Sequence, residues 1–243
     1  MSNSDDLSFG SSGPELQITS ILMDVDGTMT RIRPGGRVPV GSDVRLAELL
    51  ARKRNISVEQ ALRLIRSQKD LDQNCIFFWA QKFGIEEEQL WKVMLEDWKG
   101  YIDLPDDLGF FLKEMKKRGI PIYSATTNSR RMTLLKMAVG SLAEFDETPY
   151  LAGFYSGNYF HDPRGKFAPD YFPKILKAGQ FDPNKTLMIG DEYGHDCAPS
   201  LAAGIRWAVL IDRDSPQPLE ANENGLIRIN SLRHIVPCIS SGR

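Results

Sequence analysis

The chain has 243 residues, of which 42% are hydrophobic and 26% charged, and a formal net charge of −2. That length and balance suit a soluble globular protein able to bury a sizeable core. The small net charge gives no electrostatic case for nucleic acid or an anionic membrane as partner, and no apolar run is long enough to span a bilayer.

Residues 1–16 are rich in Ser, Gly and Asp and read as a disordered tail, without the charged-then-apolar pattern of a signal peptide. Leu16 to Asp24 reads as a first strand, apolar enough to be buried on both faces. It runs into Asp24-Val25-Asp26-Gly27-Thr28. In extended backbone the side chains of Asp24 and Asp26 share one face. Two like charges at the end of a buried strand are costly unless something positive offsets them. A hard cation held by oxygen ligands does so, and Mg²⁺ suits best; a polar strand-end turn uses the same residue types.

Arg31 to Val40, with Pro34-Gly35-Gly36 as its turn, reads as a small hairpin or linker. Its three arginines form a solvated basic loop or draw in an anionic substrate. Helices follow from Ser42, from the capping box at Ser57–Gln60, from Leu71 to Phe83, and from Glu86 to Trp98. This block has no strand signal. Its Phe77, Phe78, Trp79, Trp91 and Trp98 recur at helical spacing, as bundle core does more often than a ligand cage.

Asp106 or Asp107 opens a helix that ends in Lys116-Lys117-Arg118-Gly119, and Ile120 to Thr126 follows as a strand. Thr127-Asn128-Ser129 leads into a helix with Met132, Leu134, Leu135 and Met137. Phe154-Tyr155 is a short strand candidate, and Pro169 sits in the first turn of a helix with Phe172, Ile175 and Leu176. Thr186 to Asp191 is a second apolar run ending in an acid, and Trp207 to Ile211 is another buried strand. Strands alternating with helices predict a parallel sheet, whose ligands bind beyond the carboxyl ends of its strands. Cys75, Cys197 and Cys238 are odd in number and far apart, as expected of reduced thiols in a cytoplasmic protein, and none has zinc-site spacing.

The order Asp24-Val25-Asp26-Gly27-Thr28, then Thr127-Asn128 after a strand, then Lys166, then Gly190-Asp191 with Asp196 resembles the haloacid dehalogenase-like (HAD) hydrolase superfamily. The resemblance runs from about Ser20 to Leu210; the region after Asp214 adds nothing to it. It implies a Rossmann-like α/β core over 17–33 and 105–243, with an α-helical cap over 34–104 inserted between the first and second motifs. It also implies Asp24 as nucleophile and Asp26 as acid/base, with the Asp26 backbone carbonyl on Mg²⁺. Thr127, or Thr126 beside it, and Asn128 would bind phosphate. Lys166 would hold the phosphate and the Asp24 carboxylate, although Phe167 stands where the family has a proline. Asp191 would ligate the metal and Asp196 would orient a ligand water or Lys166, with Glu192 able to replace either. His161 and His195 match no family position and read as loop histidines.

Dehalogenases of the superfamily generally lack the second acid, so Asp26 points to a Mg²⁺-dependent phosphatase acting on a small phosphorylated metabolite. The rivals are a phosphomutase, a phosphonate hydrolase or a non-catalytic phosphate-binding scaffold. A phosphonate hydrolase of this type needs a Schiff-base lysine in the cap, and Lys53 and Lys69 both lie in polar company. A scaffold needs no nucleophile and acid together.

Overall fold

A computed structural model describes residues 14–156, 159, 160, 162 and 164–242. Most of the expected tail, and His161, fall outside them. The described chain starts with β1 (Leu16–Ile18) and β2 (Ser20–Met23), then β3 (Arg31–Ile32). Four helices follow: α1 (Ser42–Arg54), α2 (Val58–Arg66), α3 (Ile76–Lys82) and α4 (Glu87–Lys99). The chain returns through β4 (Ile102–Asp103), α5 (Asp106–Lys117), β5 (Ile122–Thr126), α6 (Arg130–Ala138) and β6 (Gly153–Ser156). It continues with α7 (Tyr171–Gly179), β7 (Thr186–Gly190), α8 (Ala198–Ala202) and β8 (Trp207–Ile211). It ends with β9 (Leu219–Ala221), β10 (Leu226–Ile229), α9 (Leu232–Ile235) and β11 (Ile239–Ser241).

The main sheet has the order β6-β5-β2-β7-β8-β10-β9. Every neighbouring pair is parallel except β9 and β10 at one edge. Alternation along β2 explains how the layers form. Ile21 and Met23 join Phe111, Leu112 and Met115 of α5 on one face. Leu22, pointing the other way, joins Met188 of β7 and Tyr171, Phe172 and Ile175 of α7 on the opposite face. Each such side chain contributes roughly 1.5–3 kcal/mol when fully buried. The result is a sheet between two helical layers. Among the described residues, no helix is long and apolar enough to cross a membrane.

Three expectations change. The strand from Leu16 breaks at Thr19, whose amide donates to the Lys185 carbonyl at 2.8 Å; β1 then pairs with β11, apart from the main sheet. The region after Asp214, which adds nothing to the resemblance, supplies β9 and β10 to the main sheet. The Arg31–Val40 stretch is no hairpin in itself: β3 pairs antiparallel with β4, tying together the two connections of the helical block. The helix expected from Leu71 begins only at Ile76, where the turn-favouring run Asp70, Asp72 and Asn74 has ended.

The helices α1–α4 bury Leu46, Leu50, Ile65, Trp79 and Trp91 in one apolar cluster that also takes in Leu135 of α6. Met137, two residues on, belongs to the sheet-side cluster instead. Helix α6 thus lies between the helical block and the sheet.

Candidate active site

The site grows from three adjacent strands. Met23 of β2 pairs with Ser124 of β5 and with Ile189 of β7, so these strands end side by side. Asp24 leaves β2, Asp191 leaves β7 and Thr126 closes β5, all at the carboxyl edge. Lys166 arrives from a short helical turn over Gly165–Phe167, just before α7. Asp196 arrives from a wide turn over Tyr193–Cys197 and is completely buried.

Lys166 Nζ lies 2.6 Å from Asp24 Oδ1 and is also ion-paired with Asp196. The Glu192 amide donates to Asp196 Oδ2 at 3.0 Å. Thr28 Oγ1 donates to Asp191 Oδ1 at 3.2 Å. Gly190 makes room for this packing: a Cβ there would stand 2.2 Å from Asp196 Cγ. Burial pushes the Asp24 carboxyl up to about 7 against the pull of Lys166. Burial and then the Asp196 charge raise Asp191 as well. Burial pulls Lys166 down, but Asp24 and Asp196 outweigh it, and its ammonium is held above the ordinary lysine value.

Carboxylate oxygens of Asp24, Asp191 and Asp196 lie within 4.8 Å of one another. Three carboxyl groups face one ammonium, and the raised Asp24 and Asp191 show that the cluster lacks positive charge to offset them. An all-oxygen, electron-rich donor set of this kind fits a hard divalent cation. The Asp26 side chain stays out of the cluster. Its oxygens accept from Lys136 Nζ at 2.6 and 2.7 Å, and Asn128 Nδ2 donates to Oδ2 at 2.7 Å. Thr126 Oγ1 accepts from the Asn128 amide and from Asn128 Nδ2 at 3.2 and 2.9 Å. Thr127 is exposed instead.

A cavity of about 150 Å³ opens over these groups, lined among others by Asp24, Asp26, Thr127, Lys166 and Asp191. His195 lines it too, with its ring against Phe167 at 4.7 Å and its Nδ1 paired with Glu192. Through Thr127 and Phe167 the cavity adjoins a larger one of about 530 Å³, also lined by Ser42 and Asn74 of the helical block. None of the Arg31–Val40 arginines lines the smaller cavity, and Arg31 is paired with Asp103 at 2.8 Å.

Sequence reasoning singled out the residues of the Asp24 cluster and Asp26 beside it, but not Lys136, which holds Asp26. The available signal was its place between Leu135 and Met137 on a helix with little solvent-facing surface.

No protein-family model matches the chain, and no curated protein does. Solved structures do. A HAD phosphatase from Thermococcus onnurineus superposes with a TM-score of 0.51 at 18% identity, covering 90% of this chain and 96% of its own. A HAD-hydrolase of Bacillus subtilis, YfnB, solved bound to magnesium, gives 0.50 at 17% identity, covering 90% and 97%. A dehalogenase solved as an intermediate complex gives 0.52 at 15% identity, covering 93% and 99%. The chain has the α/β fold of the HAD-like hydrolase superfamily. At these identities the likeness is one of fold, shared by phosphatases and dehalogenases alike.

Proposed function

We propose that the protein is a Mg²⁺-dependent phosphatase that hydrolyses a small phosphomonoester through a phosphorylated Asp24. One observation carries the reading. Asp24, with Lys166 on one of its carboxylate oxygens, and a second acid, Asp26, line the same cavity at the carboxyl ends of parallel strands. Halide can be displaced from a haloacid by one carboxylate alone, since halide leaves without a proton. A phosphate ester also needs a proton for its leaving oxygen, and Asp26 answers that need.

In this reading the helices between 34 and 104 form a cap over the site. Thr127, Asn128 and Lys166 bind the phosphoryl oxygens. The carboxylates of Asp24 and Asp191 and the backbone carbonyl of Asp26 would hold Mg²⁺, which, when bound, supplies charge neutralisation for the phosphoryl group. Asp24 attacks phosphorus and the bond to the ester oxygen breaks, with Asp26 giving that oxygen its proton. Asp26 then takes a proton from the water that attacks the phosphoaspartate, and inorganic phosphate and the Asp24 carboxylate are released.

The test compares p-nitrophenyl phosphate with 2-chloropropionate, each with EDTA and after Mg²⁺ is restored. The expected result is hydrolysis of the phosphate ester, lost in EDTA and recovered with Mg²⁺, and no chloride release. Chloride release without phosphatase activity, or full activity in excess chelator, overturns the reading.

A further inference from the structure

Lys136 is 4% exposed, on a helix whose neighbouring Leu134, Leu135 and Met137 are fully buried. An ammonium in such a place is costly unless it is paired and hydrogen-bonded. Here all three donors are used: on Asp26 Oδ1 at 2.6 Å, Asp26 Oδ2 at 2.7 Å and Asn128 Oδ1 at 2.8 Å. The ring of Trp98, from the end of α4, stands 4.8 Å from the same ammonium.

The pair is uneven. The Lys136 side chain is 5% exposed and that of Asp26 is 55% exposed. The lysine is therefore the anchored end, fixed by α6 and covered by Trp98, and the acid is the end that reaches into the site cavity. Stability alone does not explain a lysine there, since apolar side chains commonly replace buried ion pairs without loss.

Resting on the phosphatase reading above, we infer that Lys136 is a positioning residue for the leaving-group step: it holds the Asp26 carboxyl group, together with Asn128, where the ester oxygen must receive its proton. Trp98 ties that anchor to the helical block. The role bears on the two proton transfers of Asp26, of which kcat/KM reads the first, departure of the ester oxygen. Lys136 touches neither the Asp24 cluster nor Lys166, so attack on phosphorus keeps its own machinery.

The consequence depends on the leaving group. A strongly basic alkoxide needs the proton in the transition state, and misplacing the donor slows its departure. A dinitrophenolate is weakly basic and leaves without help. The test measures kcat/KM for 2-glycerol phosphate and for 2,4-dinitrophenyl phosphate in the wild-type chain, Lys136→Met and Lys136→Arg. In Lys136→Met the alkyl-to-aryl ratio is expected to fall about a hundredfold, with the aryl ester itself changed no more than about threefold. Lys136→Arg, which keeps a cation able to hold a carboxylate, is expected to recover part of the ratio. The ratio does not depend on the fraction of protein folded, so a destabilised variant is still readable, and Lys136→Gln serves if the methionine variant does not fold. Equal loss on both esters, or an unchanged ratio, overturns the inference and leaves the phosphatase reading standing. A wild-type chain that hydrolyses neither ester overturns both.

Discussion

The backbone of Gly27 lies against the carboxylate of Asp191: a Cβ built on Gly27 would stand 1.9 Å from Asp191 Oδ2, and Gly27 has a φ of +80°. The loop after β2 can approach β7 this closely only because no side chain intervenes. The next residue, Thr28, then donates its hydroxyl to Asp191. Gly27→Ala is expected to destabilise the fold by about 1–2 kcal/mol through its left-handed backbone. It should also turn Asp191 away and weaken Mg²⁺ binding by about tenfold or more. Calorimetric titration with Mg²⁺ checks this, and wild-type affinity in the variant would contradict it.

A second prediction concerns Asp107, at the start of α5. Burial pushes its carboxyl up, but the donors around it win and hold it below the ordinary value of 3.8. Those donors are Arg213 Nη1, Ser231 Oγ and the Leu232 amide, each at 2.8 Å. Arg213 also donates to the Thr28 carbonyl at 3.2 Å, so the same anchor steadies the site loop. The sign follows from linkage. A carboxyl depressed in the folded state contributes stability above its unfolded value, near 4, and that contribution is lost as pH falls through the depressed folded value. Asp107→Asn is therefore expected to cost roughly 2 kcal/mol at pH 7. The gap from wild type should close as the pH drops below about 4. Urea unfolding at several pH values measures it; a gap independent of pH would contradict the assignment.

Much of this was legible in the sequence, for a physical reason. Strands buried on both faces need long apolar runs, and an acid at the end of such a run is conspicuous, as at Asp24 and Asp191. What escaped depended on partners far along the chain. The break at Thr19 is made by the Lys185 carbonyl, and β3 finds its partner only in β4, across the whole helical block. The strands after Asp214 are short and mixed with polar residues, so periodicity passes over them. Lys136 reads as a basic residue in the last turn of a helix, where it suits the dipole. Its burial is decided by Asp26, 110 positions away. The helical block reads as self-contained, yet Leu135 joins its cluster and Trp91 packs edge-on against Phe145 at 5.8 Å. Thr126 and Thr127 both line the cavity, and only the fold shows that Asn128 donates to Thr126 Oγ1.

The central claim is that Asp24 is the atom donor to phosphorus, and trapping the intermediate tests it most directly. The protein is quenched with acid during turnover of a phosphate ester, reduced with borohydride and mapped by mass spectrometry. Reduction converts a phosphorylated aspartate to homoserine. The account predicts homoserine at position 24, in quenched turnover samples alone, and none in Asp24→Asn. Turnover with Asp24 unmodified, or with the phosphoryl group on another side chain such as Thr127 or His195, would contradict it.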